Sequence, residues 1–288
     1  MGRLVVVGTP IGNLGDLSPR AASALREADL VVAEDTRMAA RLLAHIDQRR
    51  PTRSLTEHNA GERLPEILGR LQAGETLALT TDAGMPAISD PGARLVRAAR
   101  DAGHEVVVVP GPTAVTAAMA IAGEEAVGFV FGGFLPARPA SARAAALERL
   151  LAAAGSLGLP LVLYEAPPRV RPLVAALVER VPYARVALAR ELTKRHEEVL
   201  AGTPAEVGAA RAELRGEFAV VISNIPAAGE AAGRALDPAA LARVAAARGL
   251  SVRTTVDLLR AAGLGRREAY ALAESAANVA DKPLVTGR

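Results

Sequence analysis

The stretch 77–96, LALTTDAGMPAISDPGARLV, begins as an apolar run typical of a buried strand and ends in a pattern typical of a helix. The loop between them, 81–92, contains two aspartates, two prolines and two glycines. A buried strand, a stiff polar loop and a helix are the repeating unit of α/β proteins. This stretch therefore predicts an α/β fold.

Similar apolar runs recur along the chain and predict further strands. Their Val and Leu content is nearly continuous in the first half, which indicates strands buried on both faces of a mostly parallel sheet. The predicted strands lie at 3–8, 30–35, 76–84, 104–111, 160–167, 185–193 and 217–224.

Composition shifts divide the chain into three predicted domains. We expect an N-terminal α/β domain at 1–112, a second α/β domain at 113–228 and a small C-terminal helical domain at 236–282. The Gly- and Pro-containing stretch 129–140 reads as a boundary, and 225–238 reads as a linker.

The bulk composition excludes several classes of protein. The chain has 288 residues, no Cys and a net charge of +3, so disulfides, thiolate metal sites and a Cys nucleophile are excluded. Its four histidines show no metal-ligand spacing, and we expect no metal. It contains neither a signal-peptide pattern nor an apolar run of about 20 residues that could cross a bilayer. These features predict a cytoplasmic protein without a membrane partner.

Four successive predicted strands are followed by loops rich in Gly, Pro, Asp and Thr, at 8–19, 33–37, 81–92 and 110–118. In an open parallel sheet, ligands bind beyond the carboxyl ends of the strands. The first loop has neither the G-x-G-x-x-G spacing nor a Gly-Lys-Ser/Thr motif, so a dinucleotide or P-loop site does not fit. Loops whose backbone is restricted by proline expose N–H and C=O groups. Such loops suit a ligand with adenine, ribose and amino-acid parts that is bound largely through the main chain.

Eight motifs in this order resemble the ribosomal RNA small subunit methyltransferase I family, within the tetrapyrrole methylase superfamily. The resemblance covers residues 4–224 and extends to GLGRREAYALA at 263–273. The motifs are VVVGTPIGNLGDLSPRA (5–21), AEDTR (33–37), LTEHN (55–59), TDAGMPAISDPG (81–92), VVPGPTA (108–114), GGFLP (132–136), LARELTKRHEEV (188–199) and RGEFAVVI (215–222).

The resemblance implies two α/β domains with S-adenosylmethionine (SAM) in the cleft between them, a small C-terminal helical domain, and a homodimer. It also implies transfer of a methyl group to the 2′-hydroxyl of a cytidine in the decoding centre of 16S rRNA, in the small ribosomal subunit. The predicted SAM-contacting residues are Pro10, Asp82, Gly84, Pro86, Ile88, Pro110, Gly111, Ala114, Phe134, Leu163 and Ala219. Within the loop 81–92, Asp82 is favoured over Asp90, which with Pro91 has the pattern of a helix start.

A ribose hydroxyl is a poor nucleophile that needs a base or electrostatic support, so we expect charged or basic side chains near the methyl donor. Asn59 and Glu217 are further candidates, although Glu217 could simply pair with Arg215. The candidates are Glu34, Asp35, Arg37, His58 and Lys194. Arg37 could clamp an RNA phosphate or pair with Asp35, and His58 has a suitable pKa or is structural. Lys194 could supply a point charge in a chain that otherwise uses Arg, or stand there by chance.

Two other functions fit parts of the sequence. One is a SAM-dependent C-methyltransferase acting on a tetrapyrrole such as a precorrin or uroporphyrinogen, for which a basic helical appendage would have no use. The other is a non-catalytic RNA-binding protein that senses SAM. The C-terminal arginines, from Arg243 to Arg267, either contact the RNA backbone or are simply solvated.

Overall fold

The structure is a computed structural model that describes residues 1–87, 92–210, 215–227 and 238–280. The chain divides into two compact units, Met1–Ile225 and Pro226–Arg288. Ile88, Asp90 and Pro91 of the loop quoted above lie outside the described residues.

The first sheet is fully parallel, as the apolar runs predict, and its strand order is β3-β2-β4-β1-β5. The strands are β1 (Arg3–Val7), β2 (Leu30–Ala33), β3 (Thr52–Ser54), β4 (Thr76–Leu79) and β5 (Glu105–Val109). Strand β3 was not predicted, because its sequence TRS has no apolar residue and it lies at the sheet edge.

Helices cover both faces of this sheet. They are α1 (Pro19–Glu27), α2 (Thr36–His45), α3 (Ala60–Gln72) and α4 (Gly92–Asp101). Leu25 of α1 and Leu42 of α2 pack in one core cluster, whereas Ile67 of α3 and Leu95 of α4 pack in another. Helix α1 begins where Ser18 Oγ accepts a hydrogen bond from the Ala21 N–H, which is a standard N-cap.

The second sheet is mixed and has the order β6-β7-β10-β8-β9, in which only β6 and β7 run parallel. The strands are β6 (Val130–Phe134), β7 (Leu161–Glu165), β8 (Arg185–Arg190), β9 (Glu198–Gly202) and β10 (Phe218–Ser223). Strand β6 lies inside the stretch read as a boundary. Two adjacent glycines are typical of a turn, but in the structure the segment VFGGF is a strand that pairs with β7 at the sheet edge.

Helices also cover both faces of the second sheet: α5 (Ala114–Ala122), α6 (Ala140–Leu157), α7 (Pro167–Arg180) and α8 (Pro204–Ala209). The larger core lies under α6, α7 and α8. On the opposite face, Val115 and Ala118 of α5 pack with Ile11, which comes from the loop after β1. The two sheets, each with its helices, confirm the predicted α/β fold class.

The second unit contains three helices among its described residues: α9 (Pro238–Ala247), α10 (Val252–Ala261) and α11 (Arg266–Ala280). They share a small core built from Ala242, Val256, Leu259, Ala269 and Ala273. Across the described ranges, no helix has the length and apolar character needed to cross a membrane.

Candidate active site

The loops that follow the first four strands of the predicted order meet at one edge of the first sheet. Thr9 and Gly84 form an antiparallel bridge, with Thr9 N–H donating to Gly84 O over 2.9 Å and Gly84 N–H donating to Thr9 O over 3.2 Å. The Asp35 N–H donates to Asp82 Oδ1 over 3.1 Å, which ties the loop after β2 to the loop after β4.

The loops after β1 and β5 touch through two glycines. A Cβ on Gly8 would lie 2.5 Å from Gly111 N, and a Cβ on Gly111 would lie 2.7 Å from Gly8 C. Both distances are shorter than any contact a side chain tolerates, so the two backbones can approach only because neither residue has a side chain. The predicted convergence of the loops thus depends on glycine at both positions.

The loop after β1 also reaches the second sheet. The Asn13 N–H donates to Thr193 Oγ1 over 3.1 Å, and a Cβ on Gly12 would lie 2.5 Å from Lys194 Cγ. The first loop is therefore clamped against the connection between β8 and β9, so the two sheets share one cleft.

A cavity of about 660 Å³ lies in this cleft. Its walls come from the loop 81–85, the first turn of α5 at 113–116, the end of β7 and the loops 192–194 and 216–219. A volume of this size is ordinary for a small-molecule site.

The cavity gathers most of the aromatic residues of the chain. The sequence contains four Phe, three Tyr and no Trp. Four of these seven side chains line the cavity, namely Phe129, Phe131, Phe134 and Tyr164. Phe218 also borders the cavity, but its side chain packs in the core under α6. The Tyr164 ring centroid lies 5.0 Å from that of Phe131 and 5.5 Å from that of Phe134. An aromatic wall of this kind suits a flat heterocycle, because rings stack on one another.

A cluster of three charged residues lies beside the aromatic wall. Lys194 Nζ donates to Glu191 Oε1 over 2.8 Å and to Glu217 Oε2 over 2.5 Å. Glu191 Oε1 also accepts the Glu217 N–H over 2.9 Å. Lys194 and Glu217 line the cavity, so this cluster forms its polar wall.

The hydrogen bonds of the cluster keep Lys194 protonated. Burial lowers the pKa of Lys194, but the hydrogen bonds to Glu191 and Glu217 outweigh burial and leave that pKa above its ordinary value. Burial likewise raises the pKa of Glu191, but the hydrogen bonds from Lys194 and from the Glu217 backbone leave it below its ordinary value. Lys194 is therefore a cation at neutral pH and cannot accept a proton.

Glu165 borders the cavity, but its side chain is fully buried. Arg143 forms an ion pair with it, Arg169 Nε lies 2.7 Å from its Oε1, and the Ala166 N–H donates to Oε1 over 2.9 Å. A buried carboxylate with this many donors has a structural role, because removing any partner would leave a buried charge unpaired.

Asp35 and Arg37 form a pair of their own. Arg37 Nη2 lies 2.7 Å from Asp35 Oδ2, and Asp35 caps α2 by accepting the Arg37 N–H over 2.8 Å. The hydrogen bonds from the Arg37 side chain and backbone lower the pKa of Asp35 to about 2. A carboxylate this weakly basic and fully engaged is a poor proton acceptor.

The remaining catalytic candidates are distributed as follows. Lys194 lines the cavity, whereas Glu34, Asp35, Arg37 and His58 are not among its lining residues. Glu34 and His58 are exposed.

The predicted SAM-contacting residues fall into three groups. Asp82, Gly84, Ala114, Phe134 and Ala219 line the cavity. The lining does not include the second group, Pro10, Pro86, Pro110 and Gly111, which shape the loops around it. The third group is Leu163, whose side chain is fully buried in the core under α6.

The strand alternation explains the position of Leu163. Side chains of successive strand residues point to opposite faces of a sheet. Tyr164 pairs across the ladder with Ala219 and both line the cavity, whereas Leu163 pairs with Val220 and faces the core.

Sequence reasoning missed most of the aromatic wall and also Glu191 and Glu165. The wall combines residues from the region of β6 with Tyr164 of β7, so no short motif contains it. The available signal was the clustering of Phe129, Phe131 and Phe134 within a chain that is only 2% aromatic. Within the described part of the chain, no group of three or more His, Asp or Glu could hold a metal ion.

Comparisons with known proteins place the chain in a family. The model of the tetrapyrrole (corrin/porphyrin) methylases matches residues 3–208. A Xylella fastidiosa protein named ribosomal RNA small subunit methyltransferase I is 45% identical over 228 residues, 77% of this chain and 82% of the relative. A Thermotoga maritima protein of the same name is 40% identical over 226 residues, 78% of this chain and 99% of the relative.

Solved structures show the same fold at lower identity. The methyltransferase CobJ superposes with a TM-score of 0.58 at 21% identity, over 78% of this chain and 95% of CobJ. A uroporphyrin-III-C-methyltransferase from Thermus thermophilus superposes with a TM-score of 0.54 at 21% identity, over 78% of this chain and 96% of that structure. The chain belongs to the ribosomal RNA small subunit methyltransferase I family of the tetrapyrrole methylases, and it is a methyltransferase whose methyl donor is SAM.

Proposed function

We propose that this protein methylates the 2′-hydroxyl of a cytidine in the decoding centre of 16S rRNA, within the small ribosomal subunit and in the cytoplasm. The cavity carries this proposal, because an aromatic wall stands beside a charged cluster that contains Lys194 and Glu217. An aromatic wall suits planar bases, and polar groups beside it suit a ribose. The relatives named for ribosomal RNA of the small subunit supply the substrate class.

The residues present fit SAM. Asp82 offers a carboxylate, the first turn of α5 at 113–116 offers backbone N–H groups, and the aromatic wall offers a surface for adenine. When bound, SAM supplies a methyl group on a positively charged sulfur. The rigid loops around the cavity would orient donor and acceptor, and positioning is a large part of catalysis in a displacement reaction.

The three C-terminal helices support a contact with RNA. The described stretch 238–280 contains six exposed arginines against three acidic residues, Asp257, Glu268 and Glu274. Arg266 and Arg267 occupy the first turn of α11, where the helix dipole disfavours positive charge. We infer that these arginines contact RNA phosphates, which fits recognition of a folded substrate by shape and charge.

We also propose that the enzyme acts as a homodimer. Strand β5 is an edge strand of the first sheet, and Val108 on it is 55% exposed. Ile121 on α5 is also exposed. Sedimentation equilibrium would test this proposal, and a mass of one chain at micromolar concentration would contradict it.

A substrate comparison tests the proposed function. Purified protein and methyl-labelled SAM are offered assembled small subunits, naked 16S rRNA and uroporphyrinogen in parallel. We expect label on the rRNA of the small subunit and none on the tetrapyrrole. Label on the tetrapyrrole alone would contradict the proposal and support the C-methyltransferase alternative.

A further inference from the structure

We propose that Glu217 accepts the proton of the attacking hydroxyl, and that Lys194 and Glu191 position it. This inference rests on the proposed function, since it takes a hydroxyl as the nucleophile. It begins from the geometry of the charged cluster, in which one ammonium lies between two carboxylates at the wall of the cavity.

The two carboxylates differ in access. The Glu217 side chain is 77% exposed and lines the cavity, whereas the Glu191 side chain is 18% exposed and lies behind it. A substrate hydroxyl that enters the cavity can therefore reach Glu217 but not Glu191. A proton acceptor must lie within hydrogen-bond reach of the proton it takes, so Glu217 is the member of the cluster that meets this requirement.

Glu217 is held from two sides. Its side chain accepts from Lys194 Nζ, and its backbone N–H donates to Glu191 Oε1 while its backbone O accepts the Glu191 N–H over 3.0 Å. One contact thus holds the carboxylate, and two more hold the backbone that carries it. An accepting group fixed before the substrate arrives loses little free energy to reorganisation.

Two non-glycine residues of the cluster region have a strained backbone conformation. Glu191 has φ 50° and Thr193 has φ 64°, both in the left-handed region that non-glycine residues avoid. Gly216 has φ 87°, and a Cβ there would collide with the Glu191 carboxylate. Strain of this kind persists where the surrounding structure enforces it, and it concentrates at functional sites.

The charge of the cluster suits the reaction. Two carboxylates and one ammonium leave a net charge of −1 beside a cavity that takes a cationic donor. In the proposed step the hydroxyl oxygen forms a bond to the methyl carbon, and the carbon–sulfur bond breaks. The bonding electron pair stays on sulfur, which becomes neutral, and the hydroxyl proton passes to the Glu217 carboxylate.

The other carboxylates of the site are less suited to this role. Glu165 is fully buried and engaged by Arg143 and Arg169. Asp35 is not among the residues that line the cavity. Asp82 is exposed in the cavity but accepts the Asp35 N–H, which ties it to the loop after β2. Asp82→Ala is therefore the natural comparison for Glu217→Ala.

The first test removes the Glu217 carboxylate by substitution and then supplies a carboxylate, formate, in solution. Glu217→Ala should lower kcat on small subunits by roughly 10²-fold or more, the usual contribution of a proton-accepting group. Sodium formate should raise the rate of Glu217→Ala in a concentration-dependent way, because the side chain faces an open cavity. The affinity for S-adenosylhomocysteine, measured by calorimetry, should stay unchanged, which shows that the cavity is intact.

A control variant separates proton acceptance by Glu217 from the general effect of removing an exposed carboxylate. Glu179→Ala removes an exposed carboxylate that does not line the cavity, and it should change neither the rate nor the response to formate. A kcat for Glu217→Ala within about threefold of wild type would overturn the proposal, since a general base contributes far more. Formate rescue of Asp82→Ala but not of Glu217→Ala would also overturn it.

The second test concerns Lys194 as a positioning residue. Lys194→Met should lower kcat while KM for the small subunit changes little, and Lys194→Arg should recover part of the lost rate because it restores the positive charge. Formate should not rescue Lys194→Met, because its carboxylate is still present. Equal loss in Lys194→Met and Lys194→Arg, together with weaker S-adenosylhomocysteine binding, would show a purely structural role and overturn this assignment.

The failure of this inference can be told from the failure of the proposed function. If wild-type enzyme places label on a base or on a tetrapyrrole, the proposed function fails, whatever the variants do. If label appears on a ribose but Glu217→Ala remains active, only the proton-acceptor assignment fails.

Discussion

Lys194 Nζ lies 2.5 Å from Glu217 Oε2, and this ion pair joins the loop after β8 to the start of β10 at the wall of the cavity. The same lysine packs its Cγ against the position of Gly12, in the loop after β1. One side chain therefore couples both sheets to the site. This coupling explains why a lysine occurs here in a chain whose other basic residues are almost all arginines: a flexible stem with a compact charge can pass the Gly12 backbone and still reach both glutamates.

Substitution of Gly8 should destabilise the first unit. In Gly8→Ala the new Cβ would lie 2.5 Å from Gly111 N, a backbone atom that cannot move aside cheaply. We expect a loss of roughly 2 kcal/mol or more in the free energy of unfolding, in the range of overpacked sites. Urea denaturation measures it. Gly61→Ala is the control, because its Cβ meets nothing within 4 Å, and it should be neutral or slightly stabilising.

Asp35 should contribute to stability in a pH-dependent way. Its pKa is about 2 in the folded protein, below the ordinary value of 3.8, so its contribution is complete above the unfolded value and is lost as the pH falls towards 2. The difference in unfolding free energy between wild type and Asp35→Asn should be constant from pH 5 to 7 and shrink below pH 4. A difference that grows on acidification would contradict the ion pair with Arg37.

Phe134 should contribute to binding of the methyl donor. Its ring is 56% exposed in the cavity and lies against Tyr164, so it offers a free face for adenine. Phe134→Ala should weaken S-adenosylhomocysteine binding by about 5- to 100-fold, as loss of one stacking partner usually does, whereas Phe134→Tyr should retain it. Unchanged affinity for S-adenosylhomocysteine with a raised KM for the small subunit would instead assign Phe134 to the RNA base.

The arginines of α11 should matter for RNA and not for folding. Arg266→Gln with Arg267→Gln should leave the stability unchanged or slightly raised, because positive charge is unfavourable in a first helical turn. Affinity for the small subunit should fall, and the slope of log K against log salt should shrink by roughly one to two. The matched control removes two exposed arginines of the first unit, Arg20 and Arg41, and an equal effect there would contradict a specific contact.

The loops of the site were predictable from sequence because their chemistry is local. Gly, Pro and Asp after an apolar run identify a strand-end loop, and this placed Asp82, Gly84 and Ala114 at the cavity. The prediction for Leu163 rests on its strand lying near the ligand, but the register of a strand decides which face of the sheet a side chain takes. The register is fixed by pairing between β7 and β10, which a single sequence does not reveal.

The aromatic wall and the charged cluster were harder to predict because they are assembled in space. Glu191 and Glu217 are 26 residues apart and meet only because β8 and β10 are neighbours. Strand β6 was read as a boundary because its two glycines satisfy the rule for a turn, whereas the structure uses the missing side chain of Gly132 to admit Leu163 and Leu150. From sequence alone, a glycine that makes room for a neighbouring side chain cannot be told from a glycine that makes a turn.

The position of the transferred methyl group tests the central claim most directly. Small subunits methylated by the wild-type protein with labelled SAM are digested with alkali, which cleaves RNA only where a free 2′-hydroxyl can attack the neighbouring phosphate. The account predicts that the label remains in one alkali-resistant dinucleotide whose first nucleoside is cytidine. Label released in mononucleotides would place the methyl group on a base and contradict it.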